Sequence, residues 1–275
     1  MTVMWNWKVV QAGALRLDGG SMFGVVPRGL WSKLSVPDER NRIGLQTNCL
    51  VLERGGRTVL VETGCGDKWS DKERSIFAIE QRTIVDAIDE VNVASDEIDD
   101  VLVTHLHFDH AGGLTQLGKD NQLNRTFKNA TVHVQGVEWD DALAGKSTMS
   151  GTYLRSHLDP IAEHVNLLSG EQCVMPGIRV WPVPGHTWGQ QAVLVDTPDG
   201  VVCFPGDVMP TRHHVGPPYS MGYDMLPYQN MLTKRSVLER AADESWTVVL
   251  DHEPDTPVVQ VHAVGDWFEL DVLDR

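Results

Sequence analysis

Apolar and polar positions along the chain fall into two successive sets of mixed strand-like and helix-like segments. Residues 48–53 and 58–62 read as strands joined by a hairpin turn at Gly55-Gly56. Residues 75–93 carry Ile76, Ile79, Ile84, Val85, Ile88 and Val91 at three- and four-residue spacing with charges between them, which predicts one amphipathic helix. The apolar run Val101-Leu102-Val103 predicts a buried strand, and Ala111-Gly112-Gly113 lets the chain turn tightly into a helix soon after it. A strand at 131–135, a short helix at 137–144 and a partly helical stretch at 146–170 close the first set. The second set has strands at 178–183, 191–196 and 201–204, a loop at 217–227 and a helix at 231–242. Strands at 248–250, 258–264 and 267–270 complete it.

Before Thr47 the pattern is less regular. Gly19, Gly20, Gly24, Pro27, Gly29, Trp31 and Pro37 indicate a long loop between an N-terminal strand and the main body. Both sets present metal-type residues at strand ends, and two packed sheets with helices outside them would place those ends along a common edge. The expected class is α/β (α+β). The expected unit is a single catalytic domain over 1–275, with 1–46 as N-terminal strand and substrate-side loop.

The segment Thr104-His105-Leu106-His107-Phe108-Asp109-His110 follows a predicted strand directly. Three imidazoles and a carboxylate so close together form a first-row metal constellation. His105 and His107 have the period-two spacing that points two side chains the same way, while Asp109 and His110 lie past the turn, placed to serve a second ion. A fortuitous polar cluster on an exposed turn is the alternative, and the density of ligand-type residues argues against it.

The pattern HxHxDH at His105–His110 resembles the signature of the metallo-β-lactamase superfamily. Gly185-His186-Thr187, Gly206-Asp207 and His252 match the remaining family motifs in order, so the resemblance runs from about Thr47 to His252. It implies a four-layered αββα sandwich. It also implies a first metal held by His105, His107 and His186, a second held by Asp109, His110 and His252, and Asp207 shared between them. Two divalent ions are expected, zinc first, with Mn, Fe or Co also compatible with His and Asp ligands. Such a pair lowers the pKa of a shared water toward ~7 and polarises a carbonyl or phosphoryl oxygen, so hydrolysis follows without a serine or cysteine nucleophile. Asp109 is then placed to orient the nucleophile or carry a proton to the leaving group. Glu62 and Trp188 are expected near the site as packing or support for ligands.

Three further stretches resemble one branch of that superfamily, which contains quorum-quenching lactonases and methyl-parathion-hydrolase-like enzymes. They are Leu17-Asp18-Gly19-Gly20-Ser21-Met22-Phe23-Gly24, Thr63-Gly64-Cys65-Gly66-Asp67-Lys68 and Asp251-His252-Glu253-Pro254. The branch implies lactones, esters or organophosphates as small-molecule substrates. Met22, Phe23, Val25, Val26 and Trp31 either form an apolar wall for an acyl or aromatic group or pack the N-terminal loop on the body. Many lactonases of this branch carry a tyrosine three residues after the shared aspartate, and here Pro210 stands there. Tyr219, Tyr223 and Tyr228 on the following loop are the candidates to replace it, with Tyr223 taken as catalytic. His213 and His214 on the same loop are candidates for a proton relay and a substrate contact. His133, His157, His164 and His262 lack such context and read as structural.

Composition narrows the classes. A formal charge of −15, from 38 acidic and 23 basic residues, repels a phosphate backbone, so no nucleic acid is expected as partner. The same lack of a cationic patch disfavours a ribonuclease or a glutathione thioesterase. His107 and the absence of a flavin-domain pattern disfavour a flavodiiron protein. The remaining alternative is a non-catalytic, metal-stabilised binding protein, which predicts a degraded ligand set. Cys49, Cys65, Cys173 and Cys203 lack CxxC spacing and read as reduced, largely buried thiols, although a Cys49–Cys65 disulfide is conceivable. MTVMWNWKVVQAG lacks a signal-peptide pattern and no apolar run approaches the ~18 residues of a membrane span, so no membrane partner and a cytoplasmic location are expected. Trp5, Trp7 and Trp31 either seal a homodimer or pack the core.

Overall fold

The computed structural model describes residues 3–274. Met1, Thr2 and Arg275, the ends of the expected 1–275 unit, lie outside the described residues. β1 (Asn6–Asp18) pairs antiparallel with β2 (Arg42–Arg54), with a register break between Gln11 and Ala14. The chain between them is no plain loop: it forms α1 (Gly19–Phe23) and α2 (Arg28–Trp31). Asp18 Oδ1 accepts the Ser21 N–H at 2.8 Å and caps α1, and the rings of Phe23 and Trp31 stack at 5.5 Å. Gly55 and Gly56 take φ of 57° and 82°, the left-handed pair that a tight hairpin needs, and lead into β3 (Arg57–Val61).

The helix expected over 75–93 is two helices, α3 (Asp71–Phe77) and α4 (Ile84–Asp89). Apolar spacing hides two local start signals. Ser70 and Glu73 form a reciprocal capping box, and the Thr83 N–H and hydroxyl both donate to Asp86 Oδ2 at 2.8 Å. Ala78 between them turns left-handed, and the freed segment docks on the irregular part of β1. There Glu80 N–H donates to the Ala14 carbonyl at 2.9 Å and Arg82 Nε to the Gln11 carbonyl at 2.7 Å.

β4 (Asp100–Leu102) runs parallel to β3 and is followed by α5 (Phe108–Ala111) and a small hairpin, β5 (Thr115–Leu117) and β6 (Leu123–Arg125). β7 (Thr131–Gln135), α6 (Gly136–Ala144), α7 (Arg155–Leu158) and β8 (Val165–Leu168) complete a six-stranded sheet ordered β1-β2-β3-β4-β7-β8. The second sheet comprises β9 (Gln172–Met175), β10 (Ile178–Pro182), β11 (Gln191–Thr197), β12 (Gly200–Phe204), β13 (Thr247–Val249), β14 (Val258–Val264) and β15 (Trp267–Val272). Its order is β15-β14-β13-β12-β11-β10-β9, and α8 (Pro227–Asp243) connects β12 to the parallel β13. The hairpin β5–β6 and the strands β8 and β9 were not expected, because each is too short to show a period.

Strand alternation explains the layers. Leu50, Leu52, Val59 and Val61 face Val193, Val195, Phe204 and Val249 of the other sheet. Cys49, Val51 and Leu60 point to the opposite face, where Ile84, Ala87 and Ile88 of α4 and Trp139 of α6 cover them. Ala192, Leu194 and Val248 likewise turn outward to Val237, Leu238 and Ala241 of α8. The result is the expected αββα sandwich. Trp5 and Trp31 are buried in its cores and Trp7 packs against the inter-sheet layer, so Trp5 and Trp31 are not open to a second subunit. All four cysteines are free, with Cys173 exposed and the others buried, so Cys49 and Cys65 are not bridged. Among the described residues, no helix is long and apolar enough to cross a membrane.

After β3 the backbone packs directly on the loop that follows β4. A Cβ on Gly112 would lie 2.1 Å from the Cys65 carbonyl oxygen, and one on Gly113 would lie 2.1 Å from that of Thr63. Gly112→Ala is expected to destabilise the fold by ~1–3 kcal/mol, the usual range for overpacking. Denaturant unfolding checks this, and a parent-like midpoint would contradict the packing described.

Candidate metal centre and cleft

The strand ends deliver the site. His105, His107, Asp109 and His110 follow β4, His186 follows β10, Asp207 follows β12 and His252 follows β13. Backbone contacts fix these turns. Thr63 donates its N–H (3.1 Å) and hydroxyl (2.5 Å) to the His110 carbonyl, Met225 N–H donates to that of His186, and His252 N–H donates to that of Pro210.

Two ligand-like groups result. The nitrogens of His105, His107 and His186 converge, as do donor atoms of His110, Asp207, Asp251 and His252, each set lying within 4.8 Å. Asp207 stands between them: Oδ2 is 3.0 Å from His186 Nε2, and Oδ1 is 3.1 Å from His252 Nε2. Asp109 lies alongside, its oxygens 3.6 Å from His252 Nε2 and 3.8 Å from His110 Nε2.

The outward ring nitrogens have fixed partners. His186 Nδ1 is 3.0 Å from Asp224 Oδ1, His252 Nδ1 is 2.8 Å from the Gln46 carbonyl, and His110 Nδ1 is 3.4 Å from Glu62 Oε2. Hydrogen bonds to Asp224 and to the Gln46 carbonyl turn Nε2 of His186 and His252 into the site, and the ion-pair approach of Glu62 does the same for His110, the orientation that a metal-binding imidazole needs. The inward nitrogens then face one another. His186 Nε2 lies 3.0 Å from His107 Nδ1, and His252 Nε2 lies 3.2 Å from His110 Nε2. Buried nitrogens so placed repel unless a proton or a cation sits among them, so the donor set fits divalent ions with nitrogen and oxygen preference.

Protonation follows the same geometry. Burial, with the neighbouring imidazoles, holds His105 and His107 well below the ordinary histidine value. Burial also acts to lower His110, but the carboxylates of Glu62, Asp109 and Asp207 outweigh it and lift the ring to about 9. For Asp207 burial opposes ionisation, yet His186 and His252 hold its carboxyl well below the usual range. At pH 7 the ion-free His110 thus carries a proton that an ion must displace, and binding weakens as pH falls through that value. Zinc titration at pH 7 is expected to release protons, which calorimetry in buffers of different ionisation enthalpy reads directly. Buffer-independent heats would contradict this.

The centre opens into a cleft of about 260 Å³. His107, Asp109, His186, Asp207 and His252 line its floor, and Leu17, Met22, Trp69, Phe77, Phe108, Met149, Leu154 and Met221 supply most of its wall. Tyr223 lines it too, whereas Tyr219 packs edge-on against Phe23 and Tyr228 is exposed on the surface.

Several sequence expectations are corrected here. His214 is fully buried away from the cleft, stacked on Phe23 at 4.9 Å, with Nε2 on the Met22 carbonyl and Nδ1 on the Thr211 hydroxyl, 2.8 Å each. Burial pushes it down to about 3, so it stays neutral and pins α1. Phe23 and Trp31 stand in the same stack and back the wall without lining it; of the five expected wall residues, Met22, Phe23, Val25, Val26 and Trp31, Met22 alone lines the cleft. His213 lines a different hollow with Leu34, Val36 and Asp255. Trp188 carries the Lys146 ammonium over its ring at 3.9 Å and is absent from the cleft lining. Glu62 does stand behind the site: Oε1 accepts the Thr104 N–H at 2.7 Å, and the other oxygen meets His110.

Sequence reasoning missed Asp224, Glu138 and Asp251. Glu138 accepts from Leu106 N–H, the Tyr153 hydroxyl and the Thr187 hydroxyl, and so ties the turns carrying His105, His107 and His186 together. No local pattern marks Asp224 or Glu138. Asp251 had a signal, since it directly precedes His252 at a strand end.

The profile of the metallo-beta-lactamase superfamily matches residues 42–252. The chain belongs to that superfamily. An N-acyl homoserine lactonase of Bacillus thuringiensis is 27% identical over 168 residues, covering 56% of this chain and 60% of that protein's length. One from Bacillus cereus is 26% identical over 217 residues, 74% of this chain and 76% of that protein. A solved structure described as a probable metal-dependent hydrolase from Staphylococcus aureus superposes with TM-score 0.89 at 26% identity, over 100% of this chain and 99% of that one.

His213→Ala is expected to leave turnover at the parent value while Met22→Ala raises KM, because only Met22 lines the cleft. Steady-state kinetics on any hydrolysed ester checks this, and loss of kcat in His213→Ala would contradict the placement.

Proposed function

We propose that the protein is a dinuclear metal-dependent hydrolase that opens lactones of the N-acyl homoserine type or cleaves related esters. The observation that carries the proposal is the pairing of two converging ligand groups with an apolar cleft directly above them. An acyl chain suits Leu17, Met22, Leu154 and Met221, and a compact polar head suits the floor. Among the described residues the cleft lining contains no lysine or arginine, which favours a neutral substrate. The lactonase relatives from Bacillus support the same direction at modest identity.

Two divalent ions, zinc or else Mn, Fe or Co, supply Lewis acidity and lower the pKa of water when bound. His105, His107 and His186 would hold one, His110, His252 and Asp109 the other, with Asp207 shared. The chain's own residues do the rest. Asp109, on the cleft floor beside His110 and His252, is placed to take a proton and return it to the leaving alkoxide. Tyr223 stays protonated because burial raises its phenol, and it is placed in the cleft to donate to a substrate carbonyl in place of the tyrosine absent at Pro210.

The whole 1–275 span is taken as the catalytic unit, with 1–46 contributing Leu17 and Met22 to the cleft. A cytoplasmic location accords with the four free cysteines. A homodimer is supported by Val25, Leu30, Leu34 and Val36, apolar side chains exposed near α2.

One observation favours a second reading. Trp69, Phe77 and Phe108 form a ring cluster in the wall, with Trp69 and Phe108 centroids 5.1 Å apart, which suits the aryl group of a phosphotriester.

The test is proton release from acyl homoserine lactones, simple lactones and aryl phosphotriesters with metal-loaded protein. Lactone turnover that chelator abolishes is expected, with His107→Ala inactive yet folded and Tyr223→Phe reduced roughly 10²-fold, the scale of losing one oxyanion donor. Turnover confined to phosphotriesters would replace the lactonase reading. Chelator-resistant or His107→Ala turnover would end the metal mechanism.

A further inference from the structure

Asp251 is buried just after β13, and although it stands in the branch-like stretch Asp251-His252-Glu253-Pro254, it is not among the ligand positions that the superfamily motifs imply. One of its oxygens has a structural role, since Oδ1 accepts the His252 N–H at 3.0 Å. The other does not. Oδ2 is fully buried and, among the described residues, meets no hydrogen-bond donor. Asp251 is nonetheless grouped with His110, Asp207 and His252, one oxygen lying within 4.8 Å of a donor atom of each. Two carboxylates at that separation in a dry interior, Asp207 and Asp251, repel unless a proton or a cation lies between them. A turn-capping role alone is satisfied by an asparagine, and burying a carboxylate for it carries a desolvation penalty that an amide avoids.

We infer that Asp251 is an additional anionic ligand of the second metal site, its Oδ2 bonding the ion held by His110, Asp207 and His252. The two sites are then unequal in kind. The first is built of three imidazoles plus a share of Asp207, and the second is rich in carboxylate, with Asp109, Asp207 and Asp251 around two imidazoles. Harder ions are favoured by the second and softer ones by the first.

This inference rests on the two-ion reading, and the experiment separates the two. Metal content of the parent is measured after dialysis against zinc, and the zinc-loaded parent is crystallised. Fewer than two ions in the parent would defeat the two-ion reading itself. With two ions bound, Asp251 Oδ2 is expected at about 2.0–2.2 Å from the second. Asp251→Asn, which keeps the acceptor for His252 N–H, is expected to lose affinity for that ion at least ten-fold, while the first ion stays bound. A thermal melt of the ion-free variant checks that it folds. Two ions in the parent with Asp251 Oδ2 beyond bonding distance, or parent affinity in Asp251→Asn, would overturn the inference.

Discussion

Imidazoles and carboxylates drawn together where water has little access are the constraint that the rest of this structure answers to. Each such group loses hydration and must recover it from a fixed partner. Asp207 occupies the centre of that problem, with one oxygen toward His186 and the other toward His252. The groups around it can hold that arrangement only because their far sides are already spoken for. Asp224 takes one side of His186, the Gln46 carbonyl one side of His252, and Glu62 one side of His110. These supports come from a loop before α8, from β2 and from the end of β3, so the site exists only when both sheets are assembled.

The two sheets meet this requirement through direction. β3, β4 and β7 run parallel, as do β12 and β13, and the chain leaves β4, β10, β12 and β13 with ligand-type residues just beyond. Close backbone approach then locks the turns, with Gly112 and Gly113 pressed against carbonyls of the segment that follows β3. On the apolar side, Trp31, Phe23 and His214 form a stack that fixes α1 over the site and brings Met22 to the wall. A histidine read as chemistry is thus architecture. It is kept neutral by burial, and its two ring nitrogens are both engaged.

What the sequence revealed depended on how local the information was. Strands such as 131–135 and the Gly55-Gly56 turn were legible because alternation and left-handed glycines are properties of a few neighbouring residues. His105, His107, His110, His186, Asp207 and His252, which converge in the structure, were singled out in the sequence because their motifs are short and occur in order. The helix over 75–93 was misread because spacing was weighed above the start signals at Ser70 and Thr83 and the left-handed turn at Ala78 that ends α3. His213 and His214 were misread because nearness to Asp207 in sequence does not carry a side chain into the cleft. Glu138 and Asp224 were invisible, since each acts through partners distant in the chain. Phe108 was in plain view between His107 and Asp109, but its part in the wall depends on Trp69 and Phe77, which come from another segment.

The most direct test of the proposed two-ion hydrolase is turnover of an N-acyl homoserine lactone followed while zinc is added stepwise to ion-free protein. The account predicts activity that rises and levels off at two equivalents per chain, since both ligand groups must be filled before the cleft floor is complete. A plateau at one equivalent, or lactone opening before any zinc is added, would contradict it.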